Sequence, residues 1–185
     1  MEYVLSMRLG VFTRRHSEEG FERTPAILKE ELGFSLIEQE KSRFRYKVKN
    51  SEAGASIVDV LCLPFTPSGY IGVGSIHNIA FRTPTDEKQK AVRLNIIKAG
   101  LNATPIFDRT YFHSVYFREP GGVLFELGTD SLGLATDQKP SELGTRLMLP
   151  EWLESERKEL EKVLPTLRLF HPSSKSGVRK NNEKY

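Results

Sequence analysis

The sequence predicts an α+β fold in which two β-α-β-β-β modules are followed by a carboxyl-terminal helix. Three observations support this. An imperfect internal repeat has a period of about 65 residues, polar and apolar residues alternate in its strand-like runs, and glycines end its helical runs. With 185 residues, 38% hydrophobic and 28% charged, the chain is large enough to bury a core without disulfides. We predict modules at residues 1–68 and 69–149, then a helix and basic tail at 150–185.

The first module begins with a strand in YVLSMRLGVF, and a helix over AILKEEL follows it. Thr24 is a suitable helix cap and Pro25 a suitable first helical residue. Gly33 is a suitable residue for the left-handed helix end. Three strand-like runs complete the module: FSLIEQE, RFRYKV and ASIVDVLCL.

The second module repeats the order. Its first strand is predicted at Ser75–Arg82, and a helix starting at Thr83-Pro84 runs through KQKAVRLNIIKA to Gly100. Val92 with Ile96 and Ile97 with Leu101 would form its apolar stripe. The remaining strands are LNATPIF, TYFHSVYFR and GVLFELG, the last after the turn EPGG. A linker at 64–74 joins the modules, and a last helix fits Glu151 to Leu164, ended by Pro165.

Charge and cysteine content exclude several classes of protein. The net charge is +3, and the tail from residue 171 accounts for it. The rest of the chain is therefore neutral and lacks the basic surface that nucleic-acid-binding proteins use. Cys62 is the single cysteine, which excludes an internal disulfide or a four-cysteine metal site and fits the reducing cytoplasm. No apolar run approaches the length of a membrane span. We therefore expect a cytoplasmic protein without nucleic-acid or membrane partners.

Strand alternation predicts which side chains share a face of the second sheet. Ile79 and Phe81 should lie under the helix, with His77 on the same face. The opposite face, which we call the site face, should be lined by Asn78, Ser114, Tyr116 and Glu126. A carboxylate in an apolar strand needs a cation, a hydrogen-bond donor or a metal. Arg82 or Arg109 could supply a structural ion pair.

The runs GSIHNIAFRTPTDEKQ, DRTYFHSVYFREPGGVLFELGTD and LGTRLMLPEWLESER resemble the last module and tail of ring-cleaving, hydroquinone-type dioxygenases. The run LKEELGFSLIEQEKSRFRYKV resembles the module before it. These enzymes belong to the vicinal-oxygen-chelate superfamily, which has a glyoxalase-like fold. The resemblance covers roughly residues 21 to 165 and is specific in YFREPGGVLFELGTD.

The resemblance implies a mononuclear Fe(II), or Mn(II), held by two His and one Glu, which is a facial triad with positions left for a small aromatic substrate and O2. Glu126 corresponds to the glutamate ligand, and Arg109 and Tyr116 to catalytic residues beside the metal. One histidine ligand corresponds to Asn78, so this position is substituted. His77 then lies at the neighbouring position, as a possible ligand or a residue behind the ligands. The other histidine belongs to a module outside this chain.

Three functions remain open at this point. The chain could be the carboxyl-terminal half of a ring-cleaving dioxygenase, completed by a homodimer partner or by a complementing subunit. It could be a truncated, non-catalytic binding module, or a glyoxalase-like metal-dependent detoxification protein. Each residue also has a structural alternative. Tyr116 could be a core aromatic, Arg109 a counter-ion to Glu126 or Asp108, and His77 a packed strand residue. We expect surface or packing roles for His16, His113 and His171.

Overall fold

The computed structural model of the protein describes residues 9–13, 23–48, 57–62, 72–130 and 132–165. These residues fall into two compact units, one ending at residue 131 and the other beginning at residue 132. The first unit holds both predicted sheets. The predicted module boundary at residues 68 and 69, most of the linker, the tail beyond residue 165, His16 and His171 lie outside the described residues.

The first sheet has four strands in the order β1-β4-β3-β2. Strands β1 and β4 are parallel, and the other neighbours are antiparallel. Between β1 and β2, residues 23–26 are helical and continue into a π-helical turn at Ile27–Glu31. The strands are β1 (Leu9–Thr13), β2 (Phe34–Glu40), β3 (Arg43–Val48) and β4 (Ile57–Cys62).

The second sheet repeats this topology, with the order β5-β8-β7-β6 and a parallel pair formed by β5 and β8. The predicted duplication is therefore confirmed, because both sheets place their first strand beside their last. The elements are β5 (Ile79–Thr83), α1 (Asp86–Lys98), β6 (Phe107–Asp108), β7 (His113–Arg118) and β8 (Leu124–Thr129).

Both helix ends at glycine follow the prediction, but the helix starts differ. Gly33 and Gly100 have φ of +74° and +82°, the left-handed conformation that glycine adopts at low cost. Thr24 is not a helix cap, because Arg23 before it is already helical. Helix α1 begins at Asp86, and the hydroxyl of Thr85 accepts the Lys88 N–H at 3.2 Å.

Two predicted strands are much shorter in the structure, and a third, TYFHSVYFR, is reduced to β7. A turn in which the Ser75 N–H donates to the Gly72 carbonyl delays the start of β5 to Ile79. The predicted strand LNATPIF is reduced to a bridge at Ala103 and to β6. Pro105 has no N–H for a ladder, and the Thr104 hydroxyl accepts the Tyr116 N–H at 3.0 Å in place of a backbone carbonyl.

One hydrophobic core lies between the two modules. The rings of Phe34 and Phe81 meet edge to face at 5.7 Å, and Phe81 meets Phe125 at 4.9 Å. Val92 and Ile96 of α1 are buried as predicted, whereas Ile97 is 41% exposed and is not part of the stripe. The buried apolar residues of both modules form one cluster, so neither sheet completes its core alone.

The second unit consists of short helices. Residues Glu151–Glu156 form a 3₁₀ helix and α2 spans Arg157–Val163, where the sequence predicts one helix from 151 to 164. The first turn closes from the Leu153 N–H to the Pro150 carbonyl at 2.8 Å, which is the i to i+3 pattern of a 3₁₀ helix. No helix among the described residues is long and apolar enough to cross a bilayer.

Candidate functional site

Glu126 lies at the centre of the site face. It follows Phe125 in β8, and because Phe125 and Leu127 pack into the core, its side chain points to the opposite face. Its carboxylate accepts the Tyr116 hydroxyl at 2.7 Å on Oε1 and the Asn78 Nδ2 at 2.5 Å on Oε2. The strand register explains the first contact, since Tyr116 is directly paired with Glu126.

The carboxylate of Glu126 is buried, with an exposure of 7%, and its hydrogen-bond donors are uncharged. Neither Arg82 nor Arg109 forms the ion pair with it that the sequence suggested. Arg82 donates to Asp130 instead. In the part of the chain that the structure describes, a buried acid is therefore held by a phenol and an amide. Such a group can accept a further proton or hydrogen bond on this face.

Asn78 and Glu126 share a face as the alternation predicts, but His77 does not pack under α1. His77 is exposed and lies two residues before β5, so it does not continue the alternation that holds as far as Asn78, the residue next to Ile79. Its Nδ1 lies 2.7 Å from Asn78 Oδ1. Because Asn78 donates to Glu126 through Nδ2, its Oδ1 is the acceptor, and His77 Nδ1 therefore carries the proton. Its role as a ligand, or as a residue behind the ligands, stays a prediction.

Arg109 extends over two aromatic rings at the edge of the site face. Its guanidinium carbon lies 5.1 Å from the Phe107 ring centre and 5.7 Å from that of Tyr116, which are cation–π distances. Its Nε donates to the Ser114 hydroxyl at 3.2 Å. The suggested counter-ion role with Glu126 or Asp108 is not found among the described residues. Arg109, Tyr116 and Phe107 thus form a surface suited to an aromatic ring with a negatively charged oxygen.

His113 lies on the helix side of the second sheet, which agrees with the packing role expected for it. Its Nδ1 is 2.8 Å from Asp86 Oδ1 in the first turn of α1, so it links strand β7 to the helix. In the same layer the buried Gln89 donates to the carbonyls of His113 and Leu127, both at 2.8 Å. These contacts fasten α1 to the sheet and keep the residues of the opposite face in register.

The donor set does not fit a complete Fe(II) facial triad. The described residues contain no group of three His, Cys, Asp or Glu side chains that could hold a metal ion. Glu126 is a suitable ligand, but Asn78 presents an N–H to it rather than a free acceptor. A neutral amide is also a weaker ligand for Fe(II) than an imidazole. The described residues therefore supply one of the three ligands that the resemblance implies.

The first sheet holds an ion pair at the corresponding positions that was not predicted from the sequence. Asp59 pairs with Gly10 and Arg45, just as Glu126 pairs with Ala80 and Tyr116. Arg45 donates to both Asp59 oxygens, at 2.7 and 2.9 Å. This pairing raises the pKa of Arg45 further above its usual range. The signal was present, since Asp59 interrupts the apolar run IVDVLCL as Glu126 interrupts VLFELG.

Sequence comparison finds ring-cleaving dioxygenases, whose names are in part provisional. MhqE of Bacillus subtilis (strain 168), provisionally named a ring-cleaving dioxygenase, is 41% identical over 144 residues, or 78% of this chain and 46% of MhqE. MhqO of the same organism is 35% identical over 145 residues. A chlorohydroquinone/hydroquinone 1,2-dioxygenase of Sphingobium indicum is 35% identical over 97 residues, or 51% of this chain and 29% of that enzyme.

Comparison with solved structures agrees with this. A protein from Bacillus subtilis, described provisionally as a dioxygenase, superposes with a TM-score of 0.77 at 29% identity, over 87% of this chain and 49% of that one. A glyoxylase/bleomycin resistance protein/dioxygenase domain from Frankia shares the fold, with a TM-score of 0.53 at 10% identity. No family model matches the sequence. The chain spans about 46% of the length of MhqE, or roughly half.

Proposed function

We propose that the chain, which has the glyoxalase-like fold of the vicinal-oxygen-chelate superfamily, is the carboxyl-terminal half of a ring-cleaving dioxygenase that acts with O2 on a hydroquinone- or catechol-type substrate. The observation that carries the proposal is the hydrogen bond of 2.7 Å between Tyr116 and the buried Glu126, beside the guanidinium of Arg109. These three residues are also the ones that the resemblance places at the catalytic centre.

Each of the three side chains has a chemical task in this proposal. Arg109 stabilises the negative charge on a phenolic oxygen of the substrate. Tyr116 donates a hydrogen bond or a proton to the reacting oxygen once its O–H has turned away from Glu126 Oε1. Before the substrate binds, Glu126 holds that hydroxyl in place by accepting its hydrogen bond. The ring of Phe107, 6.4 Å from that of Tyr116, widens the apolar surface available to an aromatic ring.

Iron binding, which the resemblance leads us to expect, needs imidazole ligands from beyond the described residues. A second subunit, a homodimer partner or a further part of a longer protein could supply them. In such an assembly Glu126 would be the carboxylate ligand. The Asn78 amide would first have to release it, since the two side chains are hydrogen-bonded at 2.5 Å.

The second candidate function is a non-catalytic aromatic-binding module, and the Asn78–Glu126 contact favours it. In that case the amide has replaced an imidazole permanently, and the face binds a phenol without oxidising it. The Arg109, Tyr116 and Phe107 side chains would retain their binding roles. The two candidates differ in whether O2 is consumed.

A complementation experiment separates them. The chain would be co-expressed with the part of MhqE that it does not cover, loaded anaerobically with Fe(II), and given hydroquinone while O2 uptake is recorded. The dioxygenase proposal expects hydroquinone-dependent uptake that Glu126→Gln abolishes. Asn78→His should raise the Fe(II) affinity about tenfold or more, as an imidazole replaces an amide.

Two results would contradict the dioxygenase proposal. One is the absence of O2 uptake in both the natural chain and Asn78→His after complementation, although the chain binds hydroquinone in the presence of EDTA. This result supports the binding module. The other is uptake that persists in Glu126→Gln, which would remove the carboxylate from the mechanism. Arg82→Gln is the matched control, since Arg82 pairs with Asp130 rather than with Glu126.

A further inference from the structure

The loop that carries Arg109 contains a strained residue. Strands β6 and β7 pair through Asp108 and His113, so residues 109–112 form the connecting loop. Within it Thr110 has a φ of +70°. This left-handed conformation is uncommon outside glycine and asparagine and is costly for a β-branched side chain. Strain of this kind persists where the surrounding structure imposes it, and it is concentrated at functional sites.

Two hydrogen bonds impose the conformation. The Thr110 N–H donates to Asp108 Oδ1 at 2.7 Å, and the Arg109 N–H donates to the Phe112 carbonyl at 2.9 Å. Both close the loop tightly. The side chain of Arg109 extends from this loop back towards the sheet. Its Nε donates to Ser114 Oγ at 3.2 Å, and its guanidinium lies over the rings of Phe107 and Tyr116.

The guanidinium therefore already has three contacts that restrict it before any ligand arrives, although the residue is exposed. Its Nε is used by Ser114, whereas its terminal amino groups have no acceptor among the described residues. An arginine with free rotamers would lose conformational entropy on binding an anion, and a pre-ordered one loses less. A planar cation with two free N–H edges matches an ionised oxygen on an aromatic ring.

We propose that Thr110 is a positioning residue whose left-handed backbone holds Arg109 over Phe107 and Tyr116, so that the site face binds aromatic ligands carrying an ionised oxygen. This inference rests on the proposed function for its ligand class. It adds Thr110 to the proposed site as a residue that contacts neither ligand nor metal and that acts through Arg109.

The first module offers a matched control. Lys41 also has a positive φ, +52°, and it lies in the β2–β3 connection, which corresponds to the β6–β7 connection by strand order. Replacing either residue by glycine relieves backbone strain of the same kind. Only the second hairpin carries the arginine of the site face.

The experiment compares Thr110→Gly, Thr110→Asn, Lys41→Gly and the natural chain. Binding of 4-nitrophenolate is measured by its visible absorbance in the presence of EDTA, and the order of the Arg109 side chain is measured by ¹⁵N relaxation of its Nε–H without ligand. Both glycine variants should raise Tm. Thr110→Gly should weaken 4-nitrophenolate binding about three- to tenfold and lower the order of Arg109 Nε–H. Lys41→Gly should change neither, and Thr110→Asn, which tolerates the left-handed region, should retain most of the affinity.

The outcomes distinguish this inference from the proposed function. If Arg109 Nε–H stays equally ordered in Thr110→Gly, the positioning role is wrong, whatever the enzyme activity. If the natural chain binds uncharged phenol as tightly as 4-nitrophenolate, or binds neither, the ligand class is wrong. Loss of O2 uptake alone would bear on the dioxygenase proposal and would leave both of these readouts unchanged.

Discussion

At the scale of single residues, Asn78 decides the chemistry of the site face. A histidine there would present a nitrogen lone pair, whereas the amide donates a proton to Glu126 at 2.5 Å. The sequence identified both residues and placed them on one face, because Glu126 lies within the regular alternation of β8 and Asn78 is adjacent to the first residue of β5. It misplaced His77, because the strand begins only at Ile79 and periodicity cannot locate a strand end.

Tyr46 supports a prediction about alkaline pH. Its side chain is 2% exposed, and burial raises the pKa of its hydroxyl above the usual value near 10. Because this pKa is higher in the folded than in the unfolded protein, the protonated hydroxyl contributes its full share of stability below about pH 10. That contribution is lost as the pH rises through the folded-state pKa.

We therefore expect Tyr46→Phe to remove part of the alkaline loss of stability. Urea unfolding from pH 8 to about pH 11 would give the free energy of unfolding of both proteins. Above about pH 10, the free energy of unfolding should fall less steeply with pH in Tyr46→Phe than in the natural chain. Parallel pH profiles would show that Tyr46 ionises normally in the folded protein.

At the scale of elements, β4 and β8 each contain a buried acid, but the partners of the two carboxylates differ. Both carry an acid in an apolar strand, at equivalent register positions. Asp59 is paired with the cation of Arg45, whereas Glu126 has uncharged donors. A buried carboxylate that keeps no cation is the costlier arrangement.

The stabilities of two amide variants should therefore differ. Asp59→Asn removes the charge that Arg45 requires, and it should lower Tm by several degrees. Glu126→Gln removes an uncompensated buried charge, keeps an acceptor for Asn78 and places its amino group beside the Tyr116 hydroxyl, which can turn and accept from it. Its free energy of unfolding should therefore stay within about 1 kcal/mol of the natural chain. Calorimetry of both variants tests this, and a larger loss in Glu126→Gln than in Asp59→Asn would contradict it.

The sequence predicted most elements because their signals are local. The strands FSLIEQE and RFRYKV match β2 and β3 in full, and Gly33 and Gly100 end their helices as predicted. The predicted strand LNATPIF was mostly wrong, because Thr104 and Pro105 alter the backbone hydrogen bonds there. The pattern of apolar residues alone does not show that a side-chain hydroxyl replaces a backbone carbonyl as the acceptor.

At the scale of the whole molecule, a long-range contact joins the two modules of the first unit. The hydroxyl of Thr24, beside the first sheet, donates to Glu119 Oε2 in the β7–β8 turn. The same carboxylate accepts the N–H groups of Gly121 and Val123, both at 2.8 Å. Both Thr24 and Glu119 are buried. No sequence periodicity relates these two residues, so the contact could not have been predicted.

Removing either the Thr24 hydroxyl or the Glu119 carboxylate should weaken the contact between the two modules. Thr24→Val keeps the volume but loses the donor, and it should cost about 1–2 kcal/mol of unfolding free energy. Glu119→Gln should cost about 1–3 kcal/mol, because one of its oxygens becomes an amino group that faces backbone N–H groups.

A double-mutant cycle under urea tests the contact. The losses of Thr24→Val and Glu119→Gln should be less than additive, and Thr24→Ser, which keeps the hydroxyl, should stay close to the natural chain. Strict additivity would mean that the two residues act independently. A homodimer partner or a complementing subunit stays a prediction.

The bond from Asn78 to Glu126 has a consequence for kinetics. A cation arriving at this face meets a carboxylate already engaged by an amide, so its uptake is a displacement rather than a simple capture. For any cation that does bind there, the rate should level off at high concentration, where the opening of that single contact becomes the slow event.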